Sequence, residues 1–140
     1  SERRYVTDAG YRLFDDDQPH LFTVVASQEV GRWTFGARFR YASGLPRTPV
    51  VGSYYDARDD RYDPVFGAQN SIRLPPFYSL DLRVERSFRI GPAELDLTLD
   101  VLDATFHENP EEIVYDYRYR QRSTITGLPT LAVAGAKASF

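Results

Sequence analysis

The chain has 140 residues, a formal charge of −3 and a pI near 5.4, enough length for one domain and too acidic a balance for a phosphate-tracking, nucleic-acid-binding surface. Its 42% hydrophobic, 14% aromatic and 26% charged residues exclude disorder at one extreme and a bundle of membrane helices at the other, and no run approaches the roughly 18 apolar residues that a spanning helix needs. With no cysteine there is no disulfide scaffold, thiolate metal site or cysteine nucleophile. Ser1 in place of Met, without a basic-then-apolar leader, points to a processed, trimmed or split chain.

Taken in chain order, there is room for a sixth spanning strand before Phe14, followed by the acidic run Asp15, Asp16 and Asp17, which reads as a hydrated loop. From Trp33 to Tyr41 the odd positions are Trp33, Phe35, Ala37, Phe39 and Tyr41, and the even ones Thr34, Gly36, Arg38 and Arg40. Alternate side chains of a strand point to opposite faces, so this is a strand with one apolar and one charged face. Gly31-Arg32 suits a two-residue turn with positive φ at its first position, and it sets Val24 near Phe39 and Phe22 near Tyr41. A first hairpin therefore covers residues 20 to 42.

Residues 42 to 77 form a long polar connection. A second alternation then runs from Tyr78 to Ile90, where Tyr78, Leu80, Leu82, Val84, Phe88 and Ile90 oppose Ser79, Asp81, Arg83, Glu85, Ser87 and Arg89, with Arg86 as its single violation. Gly91-Pro92 predicts another two-residue turn, since glycine supplies positive φ and proline the negative φ that follows. Pairing Ile90 with Ala93 then aligns Phe88 with Leu95, Val84 with Leu99 and Leu82 with Val101, and sets Arg83 opposite Asp100. After a second long connection, from Ala104 to Pro129, the chain closes with Leu131 to Phe140, one face of which is Ala132, Ala134, Ala136 and Ala138. No stretch of comparable quality carries a helical stripe.

A soluble sandwich alternates in the same way with its apolar face inward. Strand length and turn asymmetry favour the other arrangement. The strands run about 9 to 12 residues, longer than the usual 5 to 6 and matched to the roughly 9 to 11 that cross a bilayer with tilt. Minimal turns follow Val30 and Ile90, whereas the other connections are long and rich in Tyr, Asp, Arg and Pro, so short turns gather on one rim and long loops on the other. Trp33, Phe35 and Phe88 beside the short turns, with Tyr41 and Tyr78 at the far ends, suit two interfacial girdles, and Arg86 lies near enough to its turn to snorkel. The expected fold is all-β: an antiparallel up-and-down meander of about 5 to 6 strands, forming an arc of a large transmembrane outer-membrane β-barrel. An arc alone leaves two unpaired edges in lipid, so the rest of the barrel is an expected partner together with the bilayer.

Three runs carry a family resemblance. They are "DQPHLFTVVASQEVGRWTFGARFRYASGLPRTPV", "NSIRLPPFYSLDLRVERSFRIGPAELDLTLDVLDATFHENPEE" and "YDYRYRQRSTITGLPTLAVAGAKASF". Gly44-Leu45-Pro46, Thr48-Pro49, Leu74-Pro75 and Leu80-Asp81-Leu82-Arg83, with a terminal Phe140, resemble the C-terminal barrel strands of TonB-dependent outer-membrane receptors. Asp103 stands where that pattern has Asn, and Ala138 where it has a large apolar residue or Tyr. The resemblance implies that residues 1–140 are a C-terminal barrel segment without the plug domain, in the outer membrane of a Gram-negative bacterium, with extracellular long loops and periplasmic short turns. The implied partners are the remaining barrel and the plug, with TonB reached indirectly through the plug. The implied activity is import of a bulky nutrient such as a siderophore, cobalamin or a glycan; a non-transporting surface adhesion or assembly module is the alternative. Arg38, Arg40, Asp81, Arg83, Glu85, Asp96 and Asp100 would then form the polar inner wall.

Ligand contact is expected in the loops. Tyr54, Tyr55, Arg58, Arg61 and Tyr62 combine aromatic rings with guanidinium groups, which suits planar or anionic ligands; the rival reading is a solvated loop of Asp–Arg pairs. Asp56, Asp59, Asp60 and Asp63 lack the spacing of a calcium loop and are interleaved with arginine, so no metal and no cofactor is expected. Tyr115, Tyr117 and Tyr119 alternate with charged residues as a strand whose tyrosines pack rather than bind. His20 and His107 are the only histidines and no nucleophile, metal or phosphate motif surrounds them, so no catalytic residue and no enzyme activity is expected.

Overall fold

The computed structural model describes residues 4–7 and 10–140, and every regular element among them is a strand. In chain order these are β1 (Arg4–Thr7), β2 (Gly10–Leu13), β3 (Leu21–Val30), β4 (Trp33–Ala42), β5 (Pro46–Arg47), β6 (Val50–Asp56) and β7 (Arg61–Phe66). There follow β8 (Ile72–Arg73), β9 (Phe77–Ile90), β10 (Ala93–Leu102), β11 (Pro110–Tyr115), β12 (Arg122–Thr126) and β13 (Leu131–Ser139). The chain divides into two compact units. One comprises Phe22–Tyr41, Tyr78–Glu108 and Leu128–Phe140; the other comprises Ser1–Leu21, Ala42–Phe77 and Asn109–Gly127.

The first unit is a single antiparallel sheet in the order β13-β10-β9-β4-β3, so the long strands follow one another across it as a meander, with β3 and β13 at its edges. Both predicted tight turns are present. Gly31 and Gly91 have φ of 65° and 62°, while Arg32 and Pro92 stay at negative φ, as the turn geometry demands. The β9–β10 register is the expected one, with Ile90 opposite Ala93, Phe88 opposite Leu95 and Asp100 opposite Arg83. On the other side of β10, Leu95, Leu97 and Leu99 face Ala138, Ala136 and Ala134, so the alanine column of β13 lies on the same face as the leucines. Phe140 follows the strand and is fully exposed.

One face of this sheet is apolar and uncovered: Phe35, Leu97 and Leu99 are 44%, 42% and 47% exposed. Among the described residues the buried apolar side chains are Leu74 and Pro46, and both belong to the other unit. The opposite face carries the charges and is the hollowed side, with depressions of about 490, 540 and 410 Å³ bordered by Arg38, Arg83, Glu85, Asp96 and Asp100. The Ser87 amide donates to Arg32 O in the β3–β4 turn at 3.0 Å, so β9 continues past that turn and the β9–β10 hairpin projects beyond it.

The second unit is made of four two-stranded sheets, β1–β2, β5–β8, β6–β7 and β11–β12. Two expectations are corrected here. The residues before Phe14 form the separate hairpin β1–β2 instead of a sixth strand of the large sheet. The long connections are not plain loops, because both fold back on themselves as hairpins. The segments Gly44-Leu45-Pro46 and Leu74-Pro75 meet through the Leu74 amide, which donates to Leu45 O at 2.9 Å, and through the β5–β8 ladder. A Cβ on Gly44 would lie 1.6 Å from Leu74 O, so only glycine permits this approach.

Candidate functional site

Tyr54, Tyr55, Arg61 and Tyr62 lie on the strands of the β6–β7 hairpin and Arg58 in its turn, a correction to their expected place in an open loop. The ladder pairs Tyr55 with Tyr62 and Tyr54 with Asp63, and strand alternation puts these two pairs on opposite faces. The five candidates are therefore not one patch. Tyr55 and Tyr62 touch at 5.3 Å between centroids, and Tyr62 meets Tyr117 edge-on at 5.7 Å. The Tyr55 hydroxyl donates to Asp60 Oδ1, and that carboxylate raises the phenol pKa above its ordinary value, leaving Tyr55 a neutral donor.

On the other face Tyr54 is exposed beside Arg61, whose guanidinium lies 2.9 Å from Asp63 and 3.6 Å from Asp59. Arg58 is exposed, and its amide donates to Asp56 Oδ1 at 2.9 Å. The four aspartates thus answer hydroxyl, guanidinium and amide donors, and no group of three metal-ligating side chains occurs among the described residues.

The β11–β12 hairpin closes over the Tyr55 side. The Val50 amide donates to Tyr115 Oη at 3.2 Å, Ser53 Oγ to Arg118 O at 2.7 Å, and Tyr117 Oη to Asp60 O at 2.8 Å. Arg47 grips Glu112 with two bonds, Nε at 3.2 Å and Nη2 at 3.3 Å. Tyr115 ends β11, whereas Tyr117 and Tyr119 sit in the connection to β12, so the expected continuous strand stops at Tyr115, short of Tyr117 and Tyr119; Tyr115 and Tyr117 pack between the hairpins.

Arg47 first, and then the Ile113 amide, hold the Glu112 carboxyl below the ordinary glutamate value. Because the folded pKa is the lower one, this contact contributes fully above the ordinary value and is lost as pH falls through the folded one. Acidification through that window is expected to lower the protection factor of the Ile113 amide, its exchange relative to the intrinsic rate at each pH, in the native protein and to leave that factor unchanged in Glu112→Gln.

The polar face of the large sheet is the second candidate region. Arg38 donates to Asp81 Oδ2 through Nε at 3.0 Å and Nη2 at 2.7 Å, Arg40 Nη2 donates to Ser79 Oγ at 3.1 Å, and the Asp103 amide donates to Asp81 Oδ1 at 3.1 Å. Asp103 has φ of 51°, a left-handed backbone that Asp and Asn tolerate better than most residues. Farther along the face, Arg83 bridges to Glu85 at 3.2 Å and Asp100 at 3.6 Å, and Ser87 Oγ donates to Asp96 Oδ1 at 2.7 Å. These groups neutralise one another across neighbouring strands.

Sequence reasoning missed the polar centre of the smaller sheets. Asp17, expected in a hydrated loop, is 1% exposed and ion-paired with Arg73, which also donates to Asp17 O at 2.7 Å and Gly44 O at 3.1 Å. Asn70, buried with φ of 56°, donates to Leu13 O at 2.9 Å and to Asp15, and its amide donates to Thr48 Oγ1 at 3.0 Å. Partners more than 50 residues apart leave no local signal; the one hint is Asn70 itself, a residue type that accepts positive φ. His107 stacks on Tyr78 at 3.9 Å between centroids. No protein-family model, curated protein or solved structure matches this chain.

Proposed function

We propose that this chain forms part of the barrel wall of a TonB-dependent outer-membrane transporter, which imports a bulky nutrient such as a siderophore, cobalamin or a glycan. The observation that carries the reading is the five-stranded sheet, with an uncovered apolar face and a hollowed face of paired charges on strands of 9 to 14 residues. In water an uncovered apolar face of this extent is unfavourable, and in a bilayer it is the surface a barrel presents to lipid. The length asymmetry of the connections supports the same orientation, with the hairpins of residues 42–77 and 109–127 outside the cell. The lipid bilayer, the remaining strands and a plug are its partners in this role, and the protein acts by binding and passage rather than by catalysis. Within the outer hairpins, Tyr54, Arg58 and Arg61 are the candidates for ligand contact, while Tyr55 and Tyr62 shape the hairpin that presents them.

Spin labels test the orientation. Labels at Leu82 and Leu97 are expected to relax readily with lipid-soluble oxygen, and labels at Arg83 and Asp96 with a water-soluble relaxer. The reverse pattern would return the sheet to a soluble sandwich. A plug-sized globular stretch encoded upstream of Ser1 would separate import from the adhesion or assembly alternative.

A further inference from the structure

Arg86 is the one charge on the apolar face of the large sheet's longest strand. Its guanidinium carbon lies 4.7 Å from the Trp33 ring centroid and 4.6 Å from that of Phe88. Phe35 stacks on Trp33 at 6.0 Å with an interplanar angle of 12°, extending the same wall. No described residue hydrogen-bonds or ion-pairs with the Arg86 side chain, in contrast to Arg38, Arg47, Arg73 and Arg83, each of which meets a carboxylate.

The level of this group along the strands is fixed by the backbone. Trp33 is the first residue of β4, and the Ser87 amide bonds to the turn residue just before it, so Arg86 lies level with the β3–β4 turn. An aromatic belt at strand ends marks the headgroup level of a bilayer. Stacking uses the flat faces of a guanidinium and leaves its edge donors, which match two phosphate oxygens.

We propose that Arg86, walled by Trp33 and Phe88, binds the phosphate of an anionic phospholipid at the short-turn end of the sheet. The proposal rests on the reading of this face as lipid-facing. Uncompensated arginine is costly against hydrocarbon, and the aromatic walls offset part of that cost through the attraction of their ring faces for the cation without neutralising its charge. An anionic headgroup completes the site by charge complementarity, and a zwitterionic one, bringing its own cation, does so less well.

The test uses the intact outer-membrane protein that contains this chain, reconstituted in nanodiscs of equal phosphatidylglycerol and phosphatidylcholine. Lipids retained on detergent extraction are counted by native mass spectrometry. The wild type is expected to retain phosphatidylglycerol over phosphatidylcholine by about fivefold, the preference one surface cation supports, and Arg86→Gln and Arg86→Leu to retain both equally. Quenching by brominated phosphatidylcholine of the emission that Trp33→Phe removes reports independently on whether the face meets lipid. Quenching with equal retention in the wild type, or with a preference that survives Arg86→Leu, overturns the headgroup site and leaves the lipid-facing reading intact. Absence of quenching overturns both.

Discussion

If the apolar sheet face meets lipid as proposed, Leu82→Arg is expected to destabilise the protein in a bilayer by about 2–4 kcal/mol, whereas Thr98→Arg costs less than about 1. Leu82 is on the uncovered apolar face, four residues farther from the β9–β10 turn than Arg86 and four from Tyr78, midway between the expected girdles. A guanidinium there is too deep to snorkel easily. Thr98 lies on the opposite, charged face, opposite Glu85, where an added cation finds both water and a carboxylate. Denaturant unfolding of the full protein from phosphatidylcholine vesicles measures both changes. The contrast is informative because in water an exposed Leu→Arg change is usually worth no more than about 0.5 kcal/mol. Equal effects at the two positions would remove the case for a lipid-facing surface.

Arg73→Met is expected to cost the smaller sheets about 3–5 kcal/mol, because it removes the guanidinium that pairs with the buried Asp17 carboxylate and donates to two backbone carbonyls. The Leu74 amide, bonded to Leu45 O, reports this loss locally, and its hydrogen-exchange protection should fall by about a hundredfold or more. Pairing the change with Asp17→Asn removes the buried negative charge that Arg73 balanced and should restore part of the protection. Unchanged protection in Arg73→Met would mean that the ion pair is incidental to the packing. Exchange at β9 and β10, in the other unit, provides the internal reference.

The large sheet was legible in the sequence because its determinants are local. A period of two assigns each side chain to a face, and a glycine at the first position of a two-residue turn sets the register, so the pairing of Phe88 with Leu95 or Arg83 with Asp100 follows from a few neighbouring residues. The order of the strands was legible for the same reason, since a meander needs only successive neighbours. Arg86 stood out as a break in the pattern, yet nothing nearby in sequence announced its Trp33 wall, which comes from a strand more than 50 residues away. The gathering of short turns at one end was also a local inference; it carried no information on the projection of the β9–β10 hairpin, because turn chemistry sets register within a hairpin and says nothing about the height of the next one.

The tertiary structure alone decided what the long connections do. Their polar composition is that of solvated loops, and it contains no periodicity from which Tyr54 could be separated from Tyr55, or Asp17 from Asp16. Folding separates them by pairing: β6 against β7 turns Tyr55 and Tyr62 toward Tyr117 and leaves Tyr54 outside, and Arg73 draws Asp17 out of water. A buried polar group must find a partner wherever the fold supplies one, and when that partner is distant in the chain its identity is a property of the assembled backbone. Composition and alternation by themselves therefore determined an all-β chain with one apolar and one charged sheet face, while the placement of each candidate ligand contact waited on long-range pairing.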